Sequence, residues 1–145
     1  MSRVVIDASV YVSRLRAGEL YHAASTRFFE ALLAHQVEAL CPQIALPEVA
    51  AALARGLDDS DLAERAAAQL RLLPYHRFYD VDGELASRAT RLAAQCRLRG
   101  CDAIYAALAQ REGVPLVTWD RQQLERAPAA LTVWTPAEAL ASLAG

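Results

Sequence analysis

Short apolar runs alternate with longer amphipathic stretches along the chain. Residues 3–7 (RVVID) are β-branched and end on a polar stop, the pattern of a short buried strand. Residues from about 20 to 36 (LYHAASTRFFEALLAHQ) place Leu20, Ala24, Phe28, Ala31 and Leu32 on one helical face. Residues 37–41 (VEALC) predict a second strand. Pro42 then opens a helical segment to about residue 55, with Gly56 as its C-cap. Pro47 inside that segment implies either a kink or a late start.

Asp58 or Ser60 is placed to cap the next helix, which ends near Leu73 ahead of Pro74. A third strand is expected at 77–81 and a helix at 82–99, stopped by Gly100. Residues 102–112 are helical again and end at Gly113. A strand at 114–118 tolerates Pro115 near its start. A short helix at 120–126, a final strand at 131–134 and a last helix at 136–143 complete the pattern. No linker, repeat or low-complexity segment interrupts it. Strands alternating with helices predict an α/β fold: a parallel sheet covered on both faces, with its chemistry at the carboxyl ends of the strands. The 145 residues fit one domain, 1–145.

Composition narrows the setting. A hydrophobic fraction of 54%, much of it alanine, argues against disorder and for closely packed helices. No apolar run reaches the roughly 20 residues of a membrane span. No signal-like apolar core with a small-residue cleavage site opens the chain, so a cytoplasmic location is expected. Cys41, Cys96 and Cys101 form no C-x-x-C pair and fit a reducing compartment. His22, His35 and His76 are not at metal-ligand spacing. Net charge is −2, so no global basic field marks a nucleic-acid partner. All 15 basic residues are arginine, which suits bidentate phosphate contacts but equally reflects an arginine-biased genome.

Four carboxylates stand out by position. Asp7 follows Val4, Val5 and Ile6 at the end of the first strand. Helix capping there is the competing role, although Ser9 is equally placed to cap. Glu48 has Ile44, Ala45, Ala51 and Ala52 as its helical neighbours. A carboxylate on such an apolar face needs an arginine, a proton or a metal. Asp102 opens RGCDAIYAALA, and Asp120 sits in LVTWDRQQL. Both have ordinary capping roles open to them. Together, on parallel strands, the four converge on one sheet edge, where repulsion calls for a positive charge between them. Oxygen-only ligands select Mg²⁺ or Mn²⁺, and two such ions can activate water and stabilise a leaving oxygen in phosphodiester cleavage.

VVIDASV, ALPEVAAAL, RGCDAIYAALA and LVTWD resemble, in order and spacing, the four acidic motifs of PIN-domain proteins, in particular VapC-type toxins of bacterial toxin–antitoxin pairs. The similarity runs from residue 3 to about 135. It implies a three-layer α/β/α PIN-like domain with a short central parallel sheet and Mg²⁺- or Mn²⁺-dependent RNA cleavage. It also implies a homodimer and a small antitoxin that masks the site. Carried over by position, Asp7, Glu48, Asp102 and Asp120 are the metal-binding catalytic acids. Ser9 and Thr118 are hydroxyls that orient the first and last of them. Pro47 directly before Glu48 departs from a regular helical setting. Arg14, Arg16, Arg99 and Arg121 lie near the motifs as RNA-contact candidates, against the plainer reading of solvated or ion-paired arginines. Trp119 and Tyr11 are aromatic enough to stack on bases, with core packing the better reading of both.

Two rivals fail on residues. A haloacid-dehalogenase-type phosphatase needs a second acid two positions after Asp7, where Ser9 stands, and ordinarily a lysine, which the chain lacks. A dinucleotide-binding domain needs G-x-G-x-x-G after the first strand. A housekeeping nuclease without an antitoxin, or a PIN-like domain that binds RNA or protein without cleaving, stays open.

Overall fold

Three apolar residues in the first strand set the layering. In the computed structural model, which describes residues 1–144, strand β1 is Arg3–Ile6. Its side chains alternate in the two-residue period of a pleated strand. Val4 and Ile6 enter one core, and Val5 enters the other. Each core is a layer of helices packed on one face of the same sheet.

That sheet has the order β3-β2-β1-β4-β5, all parallel, with β2 Glu38–Pro42, β3 His76–Tyr79, β4 Leu116–Val117 and β5 Val133–Trp134. On the Val4/Ile6 face pack α1 (Ala8–Leu15), α2 (His22–Ala34), α3 (Ala45–Leu57), α4 (Ser60–Gln69) and α8 (Pro136–Ala144). On the Val5 face pack α5 (Gly83–Cys96) and α6 (Gly100–Glu112). The short α7 (Arg121–Arg126) follows β4. The α/β/α layering is the one expected from the alternating pattern. Helix α6 is buried nearly all round, from Asp102 to Ala109, because its small side chains let it lie close against the sheet and α5. No helix among the described residues is long and apolar enough to cross a membrane.

Element ends moved for identifiable reasons. Helix α2 starts at His22, and Leu20, expected on its buried face, lies in the preceding turns and is 83% exposed. Pro42 does not open α3; it closes β2 opposite Tyr79. Helix α3 begins at Ala45, so Pro47 falls in its first turn, where backbone N–H groups have no intrahelical acceptor. The late start is therefore realised. Gly56 lies inside α3, and the cap is Asp58, in the left-handed conformation at φ 50°. Asp59, rather than Asp58 or Ser60, caps α4 by accepting from the Leu62 amide at 3.0 Å. Helix α4 gives way to a 3-10 turn, Leu70–Leu72. Left-handed Arg97, not Gly100, ends α5, and Gly100 is the first residue of α6. Gly113, at φ 67°, closes α6 as expected. The strands at 77–81, 114–118 and 131–134 are shorter than expected, and β3 begins one residue early.

Candidate active site

Strands β1 and β4 are neighbours, and their carboxyl ends carry Asp7 and Thr118. The Asp7 amide continues the ladder, donating to the Val117 carbonyl at 3.0 Å. Its side chain caps α1: Oδ2 accepts from the Ser9 amide at 3.0 Å and from Thr118 Oγ1 at 3.2 Å. Oδ1 faces Gln123 Nε2 at 3.4 Å. Capping and a site role are thus not alternatives at Asp7. Ser9, the rival cap, does something else: its Oγ accepts from the Trp119 amide at 3.1 Å and lies 3.4 Å from Thr118 Oγ1. Thr118 Oγ1 in turn accepts from the Asp120 amide at 2.9 Å. The first and last acidic segments are laced together by two hydroxyls.

Asp120 caps α7, accepting from the Gln123 amide through Oδ1 at 2.9 Å, which leaves Oδ2 free for another partner. Asp102 is not a cap. It is the third residue of α6, and the N-cap position belongs to Arg99, whose side chain makes no capping bond. Arg99 instead bridges two acids, with Nε donating to Asp102 Oδ2 at 2.8 Å and Nη2 to Asp120 Oδ2 at 2.6 Å. Glu48 lies in the first turn of α3, where Pro47 leaves the helix unbroken. It accepts from the Tyr105 hydroxyl at 2.5 Å.

Asp7, Glu48, Asp102 and Asp120 line one cleft of about 370 Å³, with Ser9, Trp119, Arg55 and Arg99. Burial raises the pKa of Asp7, and the nearby charge of Glu48 adds to that shift against the bonds from Ser9 and Thr118. Burial also raises Asp102, reinforced by the charges of Asp120 and Asp7 and opposed by Arg99. Coulombic pressure among carboxylates is what a cation relieves. The donors are all oxygen, the set that suits a hard divalent ion such as Mg²⁺ or Mn²⁺. Among the described residues, however, no group of three His, Cys, Asp or Glu side chains is arranged to hold one ion as it stands. Asp102 and Asp120 are turned to Arg99, and Asp7 to its amide and hydroxyl donors. The donor chemistry fits a divalent ion, and Arg99 is seated against two of the four acids.

The other candidate arginines lie elsewhere. Arg14 lines a separate apolar groove of about 320 Å³ with Tyr11, Phe29 and His76. Arg16 rests against Gly56, and Arg121 is an exposed partner of Glu125 at 3.9 Å. Tyr11 is core, bonded to Cys41 Sγ at 2.9 Å. Trp119 stacks on Tyr21 at a ring separation of 4.0 Å and donates through Nε1 to the buried Ser25 at 2.8 Å. Both aromatic rings are therefore used in packing. Two residues the sequence did not single out join the cleft region. Arg55 is two helical turns after Glu48 on α3, a spacing that puts it on the same helix face. Gln123, fully buried, reaches both Asp7 and the Asp102 carbonyl (3.4 Å each), and nothing in its sequence setting signals that.

A parallel sheet with carboxylates gathered at one end defines an acid-site α/β/α protein. The PIN domain model matches residues 4–130, and the chain belongs to the PIN domain family. No curated protein gives a significant sequence match. Among solved structures, the chain is similar to VapC20, a sarcin-ricin loop cleaving toxin from Mycobacterium tuberculosis. That match has a TM-score of 0.72 and 21% identity, covering 89% of this chain and 96% of that one. It is also similar to FitAcB from Neisseria gonorrhoeae, with a TM-score of 0.70, 17% identity, and 92% and 97% covered. VapBC2 from Rickettsia felis, bound to a DNA fragment from its promoter, matches with a TM-score of 0.67, 14% identity, and 92% and 98% covered. At these identities the likeness establishes the shared fold.

Proposed function

We propose that this chain is a Mg²⁺- or Mn²⁺-dependent endoribonuclease, a single nuclease domain over residues 1–145, and the toxin of a toxin–antitoxin pair. The observation that carries the reading is the cleft lined by Asp7, Glu48, Asp102 and Asp120, with two of these carboxyls pushed upward in pKa. The likeness to toxins and toxin–antitoxin complexes supports the narrower part.

In this reading the four acids are the metal-binding and catalytic residues. A bound divalent ion supplies an activated water and charge neutralisation at the leaving oxygen. The chain's own part is positional. Thr118 and the Ser9 amide fix the Asp7 carboxylate, Tyr105 fixes Glu48, and the Asp120 cap fixes α7 against the cleft. Arg55 and Arg99 line the cleft as phosphate contacts, ahead of Arg14, Arg16 and Arg121. A small antitoxin, a homodimeric state and a cytoplasmic location complete the proposal.

The test is cleavage of single-stranded RNA by purified protein with Mn²⁺, with chelator, and after Asp7→Asn or Asp102→Asn. Activity is expected only in wild type with metal, and full cleavage by either variant overturns the site. An inert wild type that still binds a small partner tightly means a binding module. Expression with and without the product of the neighbouring gene separates toxin from housekeeping nuclease, because only a toxin arrests growth that the neighbour restores. Light scattering of the purified chain reads the oligomeric state.

A further inference from the structure

Arg99 stands where its charge matters most. It is the last residue before α6, extended at φ −63° and ψ 152°, so its side chain folds back over the first turn toward Asp102 three positions on. The same guanidinium reaches Asp120 from a segment 21 positions away. Through two nitrogens it holds one oxygen of each acid, at 2.8 and 2.6 Å. Asp7, by contrast, has only neutral donors among the described residues: the Ser9 amide, Thr118 and Gln123. Arg99 is therefore the cation that ties two of the cleft acids together.

We propose that Arg99 is a tethered counter-ion seated between Asp102 and Asp120 in place of a divalent cation, so that metal loading requires the guanidinium to swing out. This inference rests on the reading of the cleft as a metal site. A guanidinium brings one charge and planar donors, whereas Mg²⁺ and Mn²⁺ bring two charges and take oxygens in an octahedron. The two cannot share Asp102 Oδ2 and Asp120 Oδ2. The side chain of Arg99 is 62% exposed, so it leaves for solvent without losing a buried environment. Its departure frees the two carboxylates to turn toward Asp7. Apparent metal affinity is then reduced by the fraction of molecules in which Arg99 is seated. Exposed ion pairs of this kind are individually weak, so the two together hold the site closed by a modest factor.

The experiment is calorimetric titration of Mn²⁺ into the full chain without RNA, comparing wild type, Arg99→Gln, Arg99→Lys and Arg121→Gln. Arg121→Gln removes the same charge from the residue next to Asp120 but breaks no bond to a cleft acid. Arg99→Gln is expected to bind Mn²⁺ about three- to tenfold more tightly than wild type, from the weak-pair scale. Arg99→Lys should fall between, and Arg121→Gln should stay near wild type. Equal affinity in wild type and Arg99→Gln, or an equal gain in Arg121→Gln, overturns the counter-ion. If none of the four proteins binds Mn²⁺, the metal reading itself fails, an outcome distinct from the other two. Should Arg99→Gln not fold, Arg99→Lys set against Arg121→Gln still decides the matter.

Discussion

The Tyr105 hydroxyl donates to Glu48 Oε1 at 2.5 Å, joining α6 to α3 at the cleft. Burial pushes the Tyr105 hydroxyl far above its usual pKa, so it stays protonated and stays a donor. Glu48 is thereby given one orientation, although it sits just after a proline in the first turn of its helix. Tyr105→Phe keeps the ring in the core and deletes only the donor. It should cost about 1.5–3 kcal/mol in urea denaturation, the scale of a hydrogen bond to a charged group. It should also weaken Mn²⁺ binding about tenfold, as loss of a ligand-orienting partner does. Unchanged metal affinity would mean Glu48 needs no such hold.

Asp7→Asn should abolish cleavage and yet raise the stability of the metal-free protein. Burial raises the Asp7 carboxyl, so the folded state binds its proton more tightly than the unfolded chain does. The fold is then favoured below both pKa values and loses that advantage as pH climbs from the ordinary aspartate value through the raised one. Asparagine removes the charge and still offers an oxygen to the Ser9 amide. Gln123 Oε1, buried without a partner among the described residues, can accept from the new amide if the Gln123 side chain turns over and gives up its long contact to the Asp102 carbonyl. Melting curves in chelator should show D7N above wild type at neutral pH, with the gap closing toward acid. A variant less stable than wild type at neutral pH would contradict this.

Thr118→Val is nearly isosteric and removes a hydroxyl that serves two partners. Asp7 loses a donor at a buried position, and the Asp120 amide loses its acceptor at a half-buried one. The expected loss is about 1–3 kcal/mol, the cost of stranding buried polar groups. Thr118→Ser, which retains the hydroxyl, should recover most of that stability in urea denaturation.

Gly56→Ala should be mildly stabilising. Gly56 is helical, so alanine gains up to about 1 kcal/mol in propensity. The added Cβ would meet Arg16 Nη1 at 2.6 Å, but that atom is the far end of a flexible side chain. A net gain of about 0.5 kcal/mol in the urea midpoint is expected. A loss would show that Arg16 is held in place.

The sheet and its helices from α2 onward were legible because Val4, Val5 and Ile6 and their counterparts are short apolar runs between amphipathic stretches, whereas α1, only eight residues long, was not assigned. Where elements end was less so. Asp58 and Arg97 adopt left-handed conformations that the pattern assigns to glycine, and Gly56 and Gly100 are helical instead. Aspartate tolerates that conformation through local polar contacts, but an arginine there carries no advance signal. At the cleft, the motif acids announced themselves by position. What their partners are did not follow from position, because hydrogen bonds such as Tyr105 to Glu48 or Gln123 to Asp7 span distant segments. Arg99 shows the limit best: its nearness to Asp102 was visible, but its second bond, to Asp120, exists only in three dimensions.

The lacing of Ser9 and Thr118 has a consequence for synthesis. Strand β1 leaves the ribosome well before its neighbour β4, and the hydroxyl that steadies Asp7 comes more than a hundred residues after it. Until residues 116–123 have emerged, Asp7 has neither Thr118 nor Gln123, and the cleft lacks Asp120. A nascent chain is therefore without its complete acid set until Asp120 has emerged, and the cleft closes around Asp7 only then.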